Sequence, residues 1–124
     1  MNGKILLFGF DSLLSILALE KAVKPLGAEL VPVARTDYNK TLSALAGLDA
    51  AGGSAMPYTG GPLGGRMLVL CGLEKQLDDL LPVLRRSGAG PECLKAVLTP
   101  HNRSWSAVML YGELLREHRE MQGK

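Results

Sequence analysis

The sequence predicts an α/β fold: a small three-layer, doubly wound sheet of four mainly parallel strands in the order 2-1-3-4, built from two β-α-β-α units. Three observations carry this. The runs Ile5-Leu6-Leu7-Phe8-Gly9-Phe10 and Leu68-Val69-Leu70-Cys71-Gly72-Leu73 repeat one pattern, each closing on Gly and a further apolar residue before an acid, Asp11 or Glu74. Both runs are continuously apolar, the signature of a strand covered on both faces. Each is followed by residues at helical spacing and then by a second short apolar run. A ferredoxin-like mixed sheet is the alternative arrangement.

The first strand covers residues 4–10. Asp11 or Ser12 can cap the helix that follows at about 12–24. Leu13, Leu14, Ile16, Leu17, Leu19, Ala22 and Val23 cover more than one stripe of that helix, so it is either deeply buried or packed on a partner subunit. Lys24-Pro25-Leu26-Gly27 ends it. Residues 29–34 read as the second strand, and Pro32, which cannot donate to a ladder, places it at an edge. A helix starting at Asp37 puts Tyr38, Leu42, Leu45 and Ala46 on one side and ends near Gly47.

Residues 50–65 hold six glycines and two prolines, Pro57 and Pro62, the composition of a linker. Residues 66–73 form the third strand and 75–86 a helix with Leu77, Leu80, Leu81 and Leu84 inward, kinked at Pro82. Arg85 and Arg86 complement the dipole at its end. Gly88 and Gly90 break the chain, and 93–98 is the fourth strand. After a turn over 99–104, a final helix runs from about 104 to 120. Residues 1–124 are thus one domain: a first unit over 1–49, a linker over 50–65 and a second unit over 66–124. Each β-α-β step is a right-handed parallel crossover. The doubling suggests a pseudo-twofold axis along the strands, with the leading strands of the two units adjacent and running the same way.

Composition bounds the function. At 124 residues the chain buries roughly two thirds of its unfolded surface, enough for a core without metals or disulfides. A net charge of +2 is too small for an electrostatic footprint on nucleic acid, and one Trp, three Tyr and two Phe give no stacking platform for single strands. No apolar run approaches the length of a membrane span. Cys71 and Cys93 lie in separate strands without metal-type spacing and read as buried reduced thiols. With Asp11 interrupting the first apolar run, no export signal is read and the chain is expected in the cytoplasm.

In this topology a ligand sits at the carboxyl ends of the strands where their order reverses, between Gly9 and Gly72. Both glycines allow close backbone approach, and a small phosphate- or carboxylate-bearing ligand is the functional reading. The plainer reading is that they permit tight strand-to-helix turns. Asp11 and Glu74 would repel an anion there, and the glycines of 60–65 precede a strand, unlike those of a phosphate loop. The densest polar cluster is Thr99, His101, Asn102, Arg103 and Ser104; its counterpart in the first half is Arg35, Thr36, Asp37, Tyr38 and Asn39. His101 can serve as a general base and Asn102 or Arg103 can bind an oxyanion. Equally, Asn102 or Ser104 is a good helix cap and Trp105 packs on the sheet. No complete catalytic set and no metal-ligand cluster emerges. His118 lies among alternating charges on a water-facing helix.

The string Leu94-Lys95-Ala96-Val97-Leu98-Thr99-Pro100-His101-Asn102-Arg103-Ser104-Trp105, with Met67–Leu73, Leu77 and Leu80-Leu81 before it, resembles the bacterial domain of unknown function family numbered 3783 over residues 67–118. The N-terminal half carries a diluted version, with Arg35-Thr36-Asp37-Tyr38-Asn39 where the Thr-Pro-x-Asn string would fall. The resemblance implies a small bacterial protein with no established activity and draws attention to Thr99, Asn102 and Trp105. The expectation is a non-catalytic small-ligand or protein-binding regulatory module, homodimeric through an apolar helix face. Its tentative ligand contacts are Gly9, Gly72, Thr99, His101, Asn102 and Arg103, and no cofactor is identified. The alternative is a small enzyme acting on an anionic metabolite through His101.

Overall fold

The computed structural model describes residues 3–10, 12–48, 58–61, 63–87 and 93–122. Asp11 as a cap, Pro57 and Pro62 in the linker and the break at Gly88 and Gly90 lie outside these. Four strands, β1 (Gly3–Phe8), β2 (Ala28–Pro32), β3 (Met67–Cys71) and β4 (Leu94–Val97), form one sheet in the order β2-β1-β3-β4. Four helices, α1 (Leu13–Val23), α2 (Leu42–Leu45), α3 (Leu77–Arg86) and α4 (Ala107–Gln122), cover its two faces.

Apart from Lys4, the central strands carry no charged or polar side chain, because both their faces are covered. Ile5 and Leu7 of β1 join Leu68 and Leu70 of β3 under α1 and α3, with Leu19, Val23, Leu80 and Leu84. Leu6 and Phe8 join Met67 and Val69 on the opposite face, with Leu42 of α2 and Ala107 and Leu110 of α4. Pro32 is the last residue of β2, an edge strand, as its missing N–H requires.

Ser12 caps α1, its Oγ accepting from the Ser15 N–H at 3.3 Å. Lys24–Leu26 tighten into a 3₁₀ turn, and Gly27 closes it at φ +77°. Pro82 lies on the exposed side of α3, which runs through it to Arg86.

Helix α3 starts two residues after the expected position, behind a 3₁₀ turn over Glu74–Gln76, and two further helices start later still. Instead of a helix from Asp37, a 3₁₀ turn over Arg35–Asp37 precedes a four-residue α2. The intervening chain is held by the second unit. Thr41 bridges to Ser106, the Leu42 N–H donates to the Trp105 carbonyl at 2.9 Å, and the Ser43 N–H donates to the Arg103 carbonyl at 3.0 Å. Likewise α4 begins at Ala107, with Ser106 rather than Asn102 or Ser104 beneath it; Ser106 Oγ accepts from the Met109 N–H.

Strands β1–β2 and β3–β4 pair in parallel, one pair per unit, whereas β1 and β3 are antiparallel. The expected parallel running of the two leading strands is therefore overturned. Ile5 faces Leu70, Leu7 faces Leu68, and the pairing is symmetric about Leu6 opposite Val69. The crossover rule governs β1-α1-β2 and β3-α3-β4, but it has no hold on how the units join. Residues 46–48 reach the Gly72 end of the sheet, where Lys4 Nζ donates to the Ala46 carbonyl and Leu48 lies near Gly72. By Tyr58 the chain is back at the other end, its N–H donating to the Thr36 carbonyl at 2.9 Å. A linker of this length extends to about 50 Å and can deliver β3 in either direction.

Candidate functional site

The antiparallel seam removes the crevice expected between Gly9 and Gly72. Phe8 sits opposite Met67 and Lys4 opposite Cys71, so the two glycines lie at opposite ends of the sheet. Each end carries a crevice of its own, over the carboxyl ends of one unit's strands. Both glycines hold positive φ, +79° at Gly9 and +72° at Gly72, at their strand-to-helix turns.

The crevice over β3 and β4 has a volume of about 220 Å³ and brings together Gly72, Thr99 and Arg103 with Glu74. The polar turn beside it is closed on itself. Asn102 Oδ1 accepts from the Thr99 N–H at 2.9 Å, Asn102 Nδ2 donates to the Val97 carbonyl at 3.1 Å, and the Asn102 N–H donates to Thr99 Oγ1 at 3.2 Å. Asn102 is only 8% exposed. Its side-chain amide carbonyl and one amide proton are thus engaged in tying the turn to the end of β4. His101 is exposed and packs edge-on against Trp105, ring centroids 5.2 Å apart. Neither His101 nor Asn102 lines the crevice.

The crevice over β1 and β2 is larger, about 830 Å³. Gly9, Gly64 and Gly65 line it with backbone. The approach is close: a Cβ on Gly9 would stand 2.7 Å from the Gly65 carbonyl oxygen, and one on Gly65 would stand 2.9 Å from Tyr111 Oη. Arg35, at the turn after β2, and Arg66, entering β3, supply two guanidinium groups. The Arg66 guanidinium lies over the Phe10 ring, 4.7 Å from its centroid, a cation–π contact that fixes its position. Tyr38 is buried behind the crevice, its ring 5.8 Å from both Phe8 and Tyr58. Of the tentative ligand contacts read from the sequence, only Gly9 lies here, joined by Tyr38 of the first-half polar cluster. Arg35 had been noted as a counterpart of the Thr99–Ser104 cluster; Arg66 had not. Its signal was an arginine placed directly after a glycine pair at the start of a strand.

Burial pushes the Cys71 thiol up to about 11, although Lys4 pulls the other way, and burial also raises Cys93 against Lys95 and Arg66. A thiol so raised carries almost no thiolate at neutral pH and makes a poor nucleophile. Among the described residues, no three His, Cys, Asp or Glu side chains gather to hold a metal ion. No helix among them is long and apolar enough to cross a membrane.

Residues 66–121, from the start of β3 through α4, match the family described as domain of unknown function DUF3783. No curated protein and no solved structure matches the chain.

Proposed function

We propose that this chain is a non-catalytic binding module that takes a small ligand in the crevice over β1 and β2. The observation that supports this is the crevice itself: about 830 Å³, within the range of small-molecule sites, with glycine backbone, two guanidinium groups and apolar walls converging on it. The most conspicuous polar cluster, at Thr99–Asn102, is by contrast engaged in holding its own turn. The test is a fragment screen by amide chemical shifts with neutral, cationic and anionic fragments. Shifts centred on Gly9, Gly64 and Gly65 are expected. A folded protein whose crevice amides respond to no fragment of any charge refutes the reading.

A homodimer forms the second part of the proposal. On α1, Leu13, Leu14 and Leu17 are 68%, 79% and 49% exposed, so three of the helix's four leucines face water in the single chain. Burying them against a second copy is the expected use of such a face. A bacterial cytoplasmic setting completes the proposal, in keeping with two free, buried cysteines. The symmetric pairing about Leu6 and Val69 accords with a doubled ancestral unit.

A further inference from the structure

We infer that the edge of the sheet at β4 is sealed by two side chains of the chain itself, Lys95 and Asn102, and that without them β4 pairs edge to edge with β4 of a second copy. The inference is independent of the crevices and of the α1 face. Strand order gives β4 the neighbour β3 on one side and, among the described residues, no strand on the other. The Leu94 N–H donates to the Arg66 carbonyl at 3.0 Å and the Leu98 N–H to the Leu70 carbonyl at 2.9 Å. Bonding residues alternate along a parallel ladder, so Leu94, Ala96 and Leu98 turn their backbone groups toward β3. Cys93, Lys95, Val97 and Thr99 turn theirs outward, as a row of donors and acceptors that can template another chain.

Three of those outward groups are engaged within the chain. Lys95 Nζ donates to the Cys93 carbonyl at 3.1 Å. Asn102 Oδ1 accepts from the Thr99 N–H at 2.9 Å, and Asn102 Nδ2 donates to the Val97 carbonyl at 3.1 Å. A carbonyl and the N–H two residues on are the pair of groups that one residue of a parallel neighbour engages. A side-chain amide carries the donor and acceptor of a peptide group, so Asn102 stands in for one residue of a fifth strand. An incoming strand has to displace these bonds. It also meets charge: an antiparallel pair of β4 strands centred on Lys95 sets the two ammonium groups opposite each other, which is destabilising. The far edge is closed by other means. The Val33 N–H donates inward to the Leu7 carbonyl, so Pro32 faces outward, where it offers no N–H. Lys95 and Asn102 both belong to the Leu94–Trp105 string singled out from the sequence, and neither lines a crevice.

The experiment compares Lys95→Thr and the double variant Lys95→Thr/Asn102→Ala with their parent, all carrying Leu14→Glu so that the α1 face does not contribute. Sedimentation over a concentration series and amide hydrogen exchange are the readouts, and a thermal melt confirms folding. The double variant associates. At concentrations where most of it is associated, its Lys95 and Val97 amides exchange about tenfold or more slowly than in the parent. Lys95→Thr alone associates more weakly. Lys75→Thr, which removes the same charge from the exposed turn before α3, leaves both readouts unchanged. A folded double variant that sediments as the parent does overturns the inference. So does association in which the two edge amides exchange as in the parent, or an equal response in Lys75→Thr. Should the double variant not fold, Lys95→Thr decides alone: association with slowed edge amides upholds the inference, and behaviour like the parent's overturns it.

Discussion

Replacing Asn102 by alanine tests whether the Thr99–Asn102 turn is structural. The substitution deletes two hydrogen bonds, from the Thr99 N–H and to the Val97 carbonyl, at a residue only 8% exposed. Each such bond contributes about 1 kcal/mol net, and the backbone groups left behind are half-buried, so water recovers part of the loss. The expected cost is about 2 kcal/mol. With an unfolding entropy of roughly 2.1 cal/mol/K per residue, a chain of 124 residues loses about 0.26 kcal/mol per degree, so the melting temperature falls by about 8 °C. Asn102→Asp keeps the acceptor for Thr99 and loses the donor to Val97, and should fall between the two. Thr99→Ala removes the reciprocal acceptor for the Asn102 N–H, and a double-mutant cycle with Asn102→Ala should show coupling. Thermal melts and urea titrations with unchanged m-values provide the measurement. A melting temperature within about 1 °C of wild type would refute the reasoning. So would a variant of normal stability that has lost ligand binding.

Gly27 and Gly9 both hold positive φ, but a Cβ on Gly27 meets nothing within 4 Å while one on Gly9 meets the Gly65 carbonyl oxygen at 2.7 Å. Gly27→Ala should cost about 1 kcal/mol from left-handed strain alone, and Gly9→Ala distinctly more, with disturbed crevice amides; equal losses in chemical denaturation would contradict the close approach. Cys71 and Cys93 should resist a thiol reagent at pH 8 until the protein is unfolded, as counted by absorbance; rapid labelling of the native chain would contradict their burial. Burial raises the Cys71 thiol from its ordinary 9.0 to about 11, so its contribution to stability is whole below about pH 9 and is lost as pH rises through about 11. The urea midpoint of the wild type should therefore fall more steeply across that window than that of Cys71→Ala. Leu14→Glu should convert a dimer to a monomer in sedimentation while changing the monomer's stability by about 0.5 kcal/mol or less, because Leu14 is 79% exposed; a wild type that sediments as a monomer removes the proposed interface.

The strands were legible because burial on two faces writes an uninterrupted apolar run, as in Ile5–Phe8 and Met67–Cys71. The strand order was legible from the repeat, which sets the two leading strands side by side, and from Pro32, which is tolerated at an edge. The direction of β3 was not, since a strand covered on both faces reads the same way parallel or antiparallel. The late start of α2 was hidden for another reason. Its competing partners, the Trp105 and Arg103 carbonyls, lie some sixty residues away, beyond any local pattern. The candidate site divides in the same manner. Thr99 and Asn102 form a local motif and were visible as one, although the motif's hydrogen bonds serve its own turn. Arg35 and Arg66 meet only because the antiparallel seam sets the start of β3 beside the end of β1.

That seam also insulates the two ends of the molecule from each other. The catalytic or binding side chains of ordinary doubly wound proteins are pooled on one rim, where every strand contributes. Here the rims are opposite poles, separated by the full height of the sheet. The residues lining the pole at Gly9 and those lining the pole at Gly72 do not overlap, so each pole can acquire its own chemistry while sharing one core.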